Sequence, residues 1–312
     1  RGTWPRRWAR SPRRTRPTSD KSIRLIVITT PNDTHYSYAR QALEAGRMVV
    51  IDKPMTLTSA EAADLIRYAR KNNLLLSVYQ SRRYASDARS ISKLLAAGTL
   101  GSVHEFEAQY QRYRTSARES WKETEQAGSG ILYDLGPHLI DQALQLFGKP
   151  DHIYAEIKQQ RSHARTDDYF HIHLHFGPVT AILRAGLLVL QPGPRYQIHG
   201  DKGSFIKYGD DPQDAALRAG KRPGAEGWGE EPEAHHGWLY TQNDKGVNGR
   251  QIPSLPGNFG LFYEQLHRAV LEGAALPVEP EEGYNVIRLI ELARESADSG
   301  RLIPCTGWMD HP

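Results

Sequence analysis

The sequence predicts an α/β unit followed by an α+β unit. The first is a parallel, doubly wound sheet over residues 21–100; the second is an open, mostly antiparallel sheet with helices on one face over residues 101–312. Two observations carry this expectation. Up to Gly98, short and nearly continuous aliphatic runs alternate with helical patterns, as strands buried on both faces of a parallel sheet require. Beyond Gly98 most runs alternate apolar with polar residues, the pattern of strands with one wet face.

Taken in order, residues 23–30 form the first buried run, and residues 31–35 read as a turn in which Asp33 or Thr34 can cap a helix reaching Glu44. Residues 48–51 give a second strand, ending in Asp52, Lys53 and Pro54. Thr58 or Ser59 then caps a helix with Ala62, Leu65, Ile66 and Ala69 on one side. Residues 74–79 are a third strand, followed by a basic loop and a helix over about 87–97. Residues 103–113 alternate. A helix over 130–147 and further alternating runs at 153–160, 170–176, 180–190 and 196–199 follow, then a turn at 200–203 and a strand from Ser204. Gly, Pro and charge dominate residues 209–258, which predicts a long loop region, and helices over 259–272 and 281–298 finish the chain.

In sheets of the first kind, ligands sit beyond the carboxyl ends of the strands. Those ends are Thr29 to Asn32, Asp52 to Pro54 and Gln80 to Arg83, all polar and each directly after an apolar run. A second concentration of chemistry lies at 128–144. Asp134, His138 and Asp141 are spaced i, i+4 and i+7, which places them on one face of a helix. A carboxylate one turn from an imidazole can orient it and handle protons. The alternative for these residues, as for Lys53, is ordinary solvated or capping duty. Gly128 and Gly130 would let a backbone or a flat ligand approach. His171, His173 and His175 point the same way from one strand. A metal shared by all three is disfavoured by the roughly 13 Å between the outer two, so an exposed or interface sheet face is preferred and no metal is expected.

The basic balance of +4 is local. Residues 1–18 hold seven Arg and no acid, which leaves 33 basic against 36 acidic residues in the remainder. Residues 1–20 are read as a disordered basic arm outside the native fold. The competing reading, a phosphate-gripping arm with Trp4 and Trp8 stacking on bases, needs that arm to be native. No run approaches the roughly 20 apolar residues of a membrane span, and no apolar stretch follows the basic start as in a secretory leader. The single cysteine, Cys305, suits a cytoplasmic chain.

Thr30-Pro31-Asn32, the Asp52-Lys53-Pro54 loop, and the set Gly130, Asp134, Gly136, His138 and Asp141 together resemble the Gfo/Idh/MocA oxidoreductases from about residue 20 to the end. Residues 132–144 and 192–205 resemble the branch containing NADP-dependent scyllo-inositol dehydrogenases. The resemblance implies a Rossmann-like cofactor domain and an NAD(P)-dependent dehydrogenase of sugar or cyclitol hydroxyls. It also implies catalytic roles for Lys53, Asp134 and His138, with a Lys53–Pro54 peptide that is often cis. Cofactor contacts are implied for Thr30, Pro31, Asn32, His35, Asp52, Lys53, Pro54 and Arg82, and a homo-oligomer, dimer or tetramer, through the second sheet. Asp52 stands where the family has Glu, and Ser81 where Asn is common. No nucleic acid or membrane partner is implied.

A strand followed by G-x-G-x-x-G normally opens such a domain, and none lies between Arg1 and Ile23. The parallel sheet is therefore expected to be truncated, with an exposed apolar edge. The alternative to an active oxidoreductase is a catalytically silent fragment that only oligomerises or binds polyols weakly.

Overall fold

The computed structural model describes residues 18–117 and 119–311. The arm expected over residues 1–20 thus lies, up to residue 17, outside the described residues.

Three parallel strands, β1 (Leu25–Ile28), β2 (Met48–Asp52) and β3 (Leu76–Tyr79), form the first sheet in the order β1-β2-β3. The connecting helices are α1 (His35–Glu44) and α2 (Ser59–Lys71). Val49, Val50 and Ile51 are fully buried in the central strand, as its aliphatic run demands. At the edge, Val27 of β1 is 42% exposed. Thr58 starts α2 with a reciprocal capping box to Glu61. Ahead of α1, neither Asp33 nor Thr34 caps through its side chain; a short 3-10 turn at Asn32–Thr34 leads in, and the Thr34 hydroxyl donates to the Pro31 carbonyl.

After α3 (Ser86–Ala96) comes β4 (Val103–Gln111), then α4 (Ile131–Phe147) and the strands β5 (His152–Lys158), β6 (Tyr169–Phe176), β7 (Val179–Gly186), β8 (Tyr196–Gly200) and β9 (Gly203–Lys207). The chain continues through α5 (Gln213–Arg218), β10 (Gly237–Asn243), β11 (Gly246–Ile252), α6 (Gly260–Glu272), α7 (Pro280–Ser299) and β12 (Ile303–Pro304). Nine strands make one sheet in the order β11-β10-β9-β8-β4-β7-β6-β5-β12. Among the described residues, only the β4–β7 pair of this sheet is parallel. α4 and α7 pack on one face of this sheet. Along β6 the buried Phe170, Ile172, Leu174 and Phe176 alternate with half-buried His171, His173 and His175, so the three histidines do share the opposite face.

Residues 209–258 correct the expectation of a long loop. They contain α5 and the β10–β11 hairpin, which extends the sheet through β9. Composition misled here because one face of the hairpin is fully wet, with 246–252 almost entirely exposed or half-exposed. What ties the segment down is polar: Lys207, with no exposed side-chain surface, pairs at 2.7 Å with an equally buried Glu231.

α7 joins the two sheets. It packs on α2, β3 and β5, and Arg70 meets Glu281 at 2.6 Å while Ser59 is held by Glu291. This junction aims the carboxyl end of β2 at the face of α4.

Candidate active site

α4 begins at Gly130, whose φ of +90° is unfavourable for any residue with a side chain. A Cβ there would lie 2.3 Å from an Asp167 carboxylate oxygen. The same carboxylate caps the helix through its other oxygen: Asp167 Oδ2 accepts from the Leu132 N–H at 2.7 Å, and the Asp167 carbonyl accepts from the Ile131 N–H. The room expected here for a backbone or a flat ligand is taken by the Asp167 side chain of the cap. Gly128 likewise makes room for Leu57 and Asn32.

The helix delivers Asp134 and His138 to one cavity of about 340 Å³, and β2 delivers Lys53 to the same cavity. The Lys53 ammonium donates to the Asp134 carbonyl and lies 3.3 Å from its Oδ1. Lys122, from the irregular segment between β4 and α4, meets the same Oδ1 at 2.6 Å. Burial works to raise the Asp134 carboxyl, but the two lysines outweigh it and hold it down at about 2. Burial also lowers the Lys53 ammonium, with Asp134 opposing and Lys122 adding to the effect. Burial first, and then the charges of Lys53, Arg82, Arg195 and Lys122, push the His138 imidazole well below its ordinary value. His138 is thus held neutral, the form that accepts a proton.

The pairing of Asp134 with His138 differs from the expectation in one respect. Asp134 serves two lysines, and the imidazole instead packs edge-on near Tyr110, ring centroids 6.5 Å apart. Helical spacing put both groups on one face, but the lysines compete more strongly for the carboxylate. Asp141, a turn further on, is withdrawn from the cavity and clasped by Arg83 at 2.6 and 2.9 Å.

The remaining strand-end residues do not line the cavity, except Arg82, which pairs with Asp214. They form a tied rim. His35 bridges the Thr30 and Pro54 carbonyls at 2.9 and 2.8 Å, Asn32 donates to the Gly128 carbonyl at 2.8 Å, and Asp52 accepts from the Lys53 N–H at 2.8 Å. Thr30 bonds Thr34, Pro31 is half-buried beside it, and the Lys53–Pro54 peptide is cis. Sequence reasoning missed Lys122, Tyr110, Arg112, Arg114 and Asp214. A signal existed only for Tyr110, an aromatic on an alternating strand. A larger cavity, about 560 Å³, lies beside the start of α4, but Lys53 and His138 do not reach it and its Asp167 is spent on the helix cap.

Known proteins resemble the chain over most of its length. Residues 92–305 match the oxidoreductase family's C-terminal alpha/beta domain, and residues 15–80 match its NAD-binding Rossmann fold. The chain is 44% identical over 286 residues to the scyllo-inositol 2-dehydrogenase (NADP(+)) IolW of Bacillus subtilis (strain 168), covering 92% of this chain and 80% of that one. It is 40% identical to the uncharacterized oxidoreductase YdgJ of Escherichia coli (strain K12), covering 89% and 80%. Among solved structures, Bacillus subtilis yvaA superposes with a TM-score of 0.89 at 44% identity over 92% of this chain and 82% of that one. An oxidoreductase from Bacillus cereus gives 0.84 at 30% identity over 94% and 83%.

Proposed function

This chain belongs to the Gfo/Idh/MocA oxidoreductase family, and from that premise we propose that it is an NAD(P)-dependent dehydrogenase of a sugar or cyclitol hydroxyl, with scyllo-inositol the first substrate to try. The observation that carries the reading is the convergence of Lys53, Asp134 and His138 on one cavity beside the polar rim of a parallel sheet. Residues 21–100 act as the cofactor unit and residues 101–312 as the substrate and assembly unit.

The residues fit a nicotinamide cofactor. The strand ends are tied into one rim, and the neighbouring cavity wall carries buried polar atoms without protein partners, His138 Nδ1 and Arg82 Nε. Thr30, Pro31, Asn32, His35, Asp52, Lys53, Pro54 and Arg82 would hold it. When bound, the cofactor supplies hydride transfer. Lys53 donates to the substrate hydroxyl oxygen and stabilises the charge that develops there. The neutral His138 imidazole takes the hydroxyl proton. Asp134, kept ionised, fixes both lysines against the cavity.

The test is a titration of NADPH and NADH fluorescence, followed by incubation with scyllo-inositol and each oxidised cofactor. Saturable quenching and the appearance of reduced nicotinamide are expected. A flat titration for the 312-residue chain would favour the catalytically silent alternative.

The outer face of the nine-stranded sheet, with His171, His173 and His175, is proposed to bind a second copy of the chain. A sedimentation experiment at micromolar concentration should find a dimer or tetramer; a monomer would discard this part of the reading. Among the described residues no helix is long and apolar enough to cross a membrane. The cytoplasm is proposed as the compartment, a reading that rests on the lone buried Cys305.

A further inference from the structure

We propose that the substrate carries an anionic group, a carboxylate or phosphate on a sugar or polyol, which the cavity seats among Arg82, Arg112 and Arg218. The inference rests on the dehydrogenase reading and moves its substrate class from neutral scyllo-inositol to an anionic sugar or polyol.

The cavity wall holds six cationic side chains, Lys53, Arg82, Arg112, Arg114, Lys122 and Arg218, against three carboxylates, a balance of +3. All three carboxylates are committed. Asp134 serves two lysines, Glu123 meets Arg114 and Arg161 at 2.9 Å each, and Asp214 pairs with Arg82. Arg112 and Arg218 make no ion pair among the described residues, and both are exposed at the entrance. Arg82 is mostly buried and still has an Nε without a partner.

The adjoining cavity shares Arg82, Arg112, Arg218 and Asp214 and adds Arg195 against three further acids, which trims the combined balance to +1. Asp87 and Asp211 are buried and accept from backbone N–H groups at Ala88, Ser86 and Gln213, while Asp210 faces Arg195. Arg195 itself is stacked 3.6 Å from the Tyr110 ring centroid and donates to the Gln109 carbonyl. A neutral polyol would leave Arg112 and Arg218 without an anionic partner. An anion accepts from their planar forks, and guanidinium suits carboxylate and phosphate equally. Seated there, the anionic end leaves the hydroxyl-bearing end toward Lys53 and His138, and the charge discriminates against neutral sugars.

The test measures the affinity of the full chain for D-glucuronate, D-glucose 6-phosphate and D-glucose by calorimetry, with and without NADP+. At least one anionic sugar should bind about tenfold or more tightly than glucose, an advantage that shrinks as salt rises. Whichever anion binds tighter identifies the group. Arg112→Gln and Arg218→Gln should each reduce the advantage by roughly three- to tenfold, in line with loss of one charge-assisted contact. Glucose binding as tightly as both anions, or no saturable binding of either anion, overturns the proposal. So does a pair of variants that weakens NADPH binding and leaves the sugar preference intact, since the arginines would then serve the cofactor phosphates. Reduction of NADP+ with any of the three sugars reports separately on the dehydrogenase reading.

Discussion

His138→Ala is expected to slow turnover by roughly 10²–10⁴, the range for loss of a positioned general base. The loss should fall on kcat, because the imidazole acts on the proton in transit more than on substrate binding. In the native protein the acidic limb of the pH–rate profile should lie well below pH 6.5, since burial and four surrounding cations keep the ring neutral there. The variant should lose that limb. Stability supplies a second readout with a definite sign. The unfolded imidazole takes up a proton as pH falls through about 6.5, and the folded one does so only further down. His138 therefore contributes stability that is fully present above pH 6.5 and lost progressively below it. His138→Gln should flatten this acid decline relative to the native chain. A variant with native kcat would remove His138 from the chemistry and leave Lys53 as the proton-handling group.

The placement of Lys53, Asp134 and His138, though not their roles, was legible in the sequence for physical reasons. Lys53 follows a strand whose three central residues are fully buried, so its position at a strand end is fixed by hydrophobic patterning alone. Asp134 and His138 sit in a helix whose apolar residues fix its buried face. The partners those residues choose were not legible. Lys122 comes from an irregular segment with no periodicity, and it takes the carboxylate that spacing assigned to the histidine. Gly128 and Gly130 announced close approach without saying to what, and the answer was the protein's own Leu57 and Asp167. Asp214 and Arg218 lie in a stretch whose Gly, Pro and charge content conceals a helix and a hairpin. Composition reports the solvent-facing side of such a segment; its anchoring depends on pairs far apart in sequence.

The anchoring yields the largest expected stability effect. Lys207→Met should destabilise the protein by about 3–5 kcal/mol, because it leaves the Glu231 carboxylate buried without its cation. The ammonium also donates to the His235 carbonyl at 2.7 Å, so that acceptor is orphaned too. The midpoint of thermal unfolding should fall on the order of 10 °C. Lys207→Met combined with Glu231→Met should recover a good part of the loss, since an apolar pair of similar volume spares both charges their desolvation. Glu231 also accepts from the Ser86 hydroxyl, and Asp211 accepts from the Ser86 N–H at 2.7 Å. The same pair therefore holds the wall on which Asp214 and Arg218 stand. The single variant should raise KM at temperatures below its unfolding transition, and the double variant should bring it back toward the native value. If Lys207→Met unfolds at the native midpoint, the burial of this pair is not what secures residues 209–258 to the sheet.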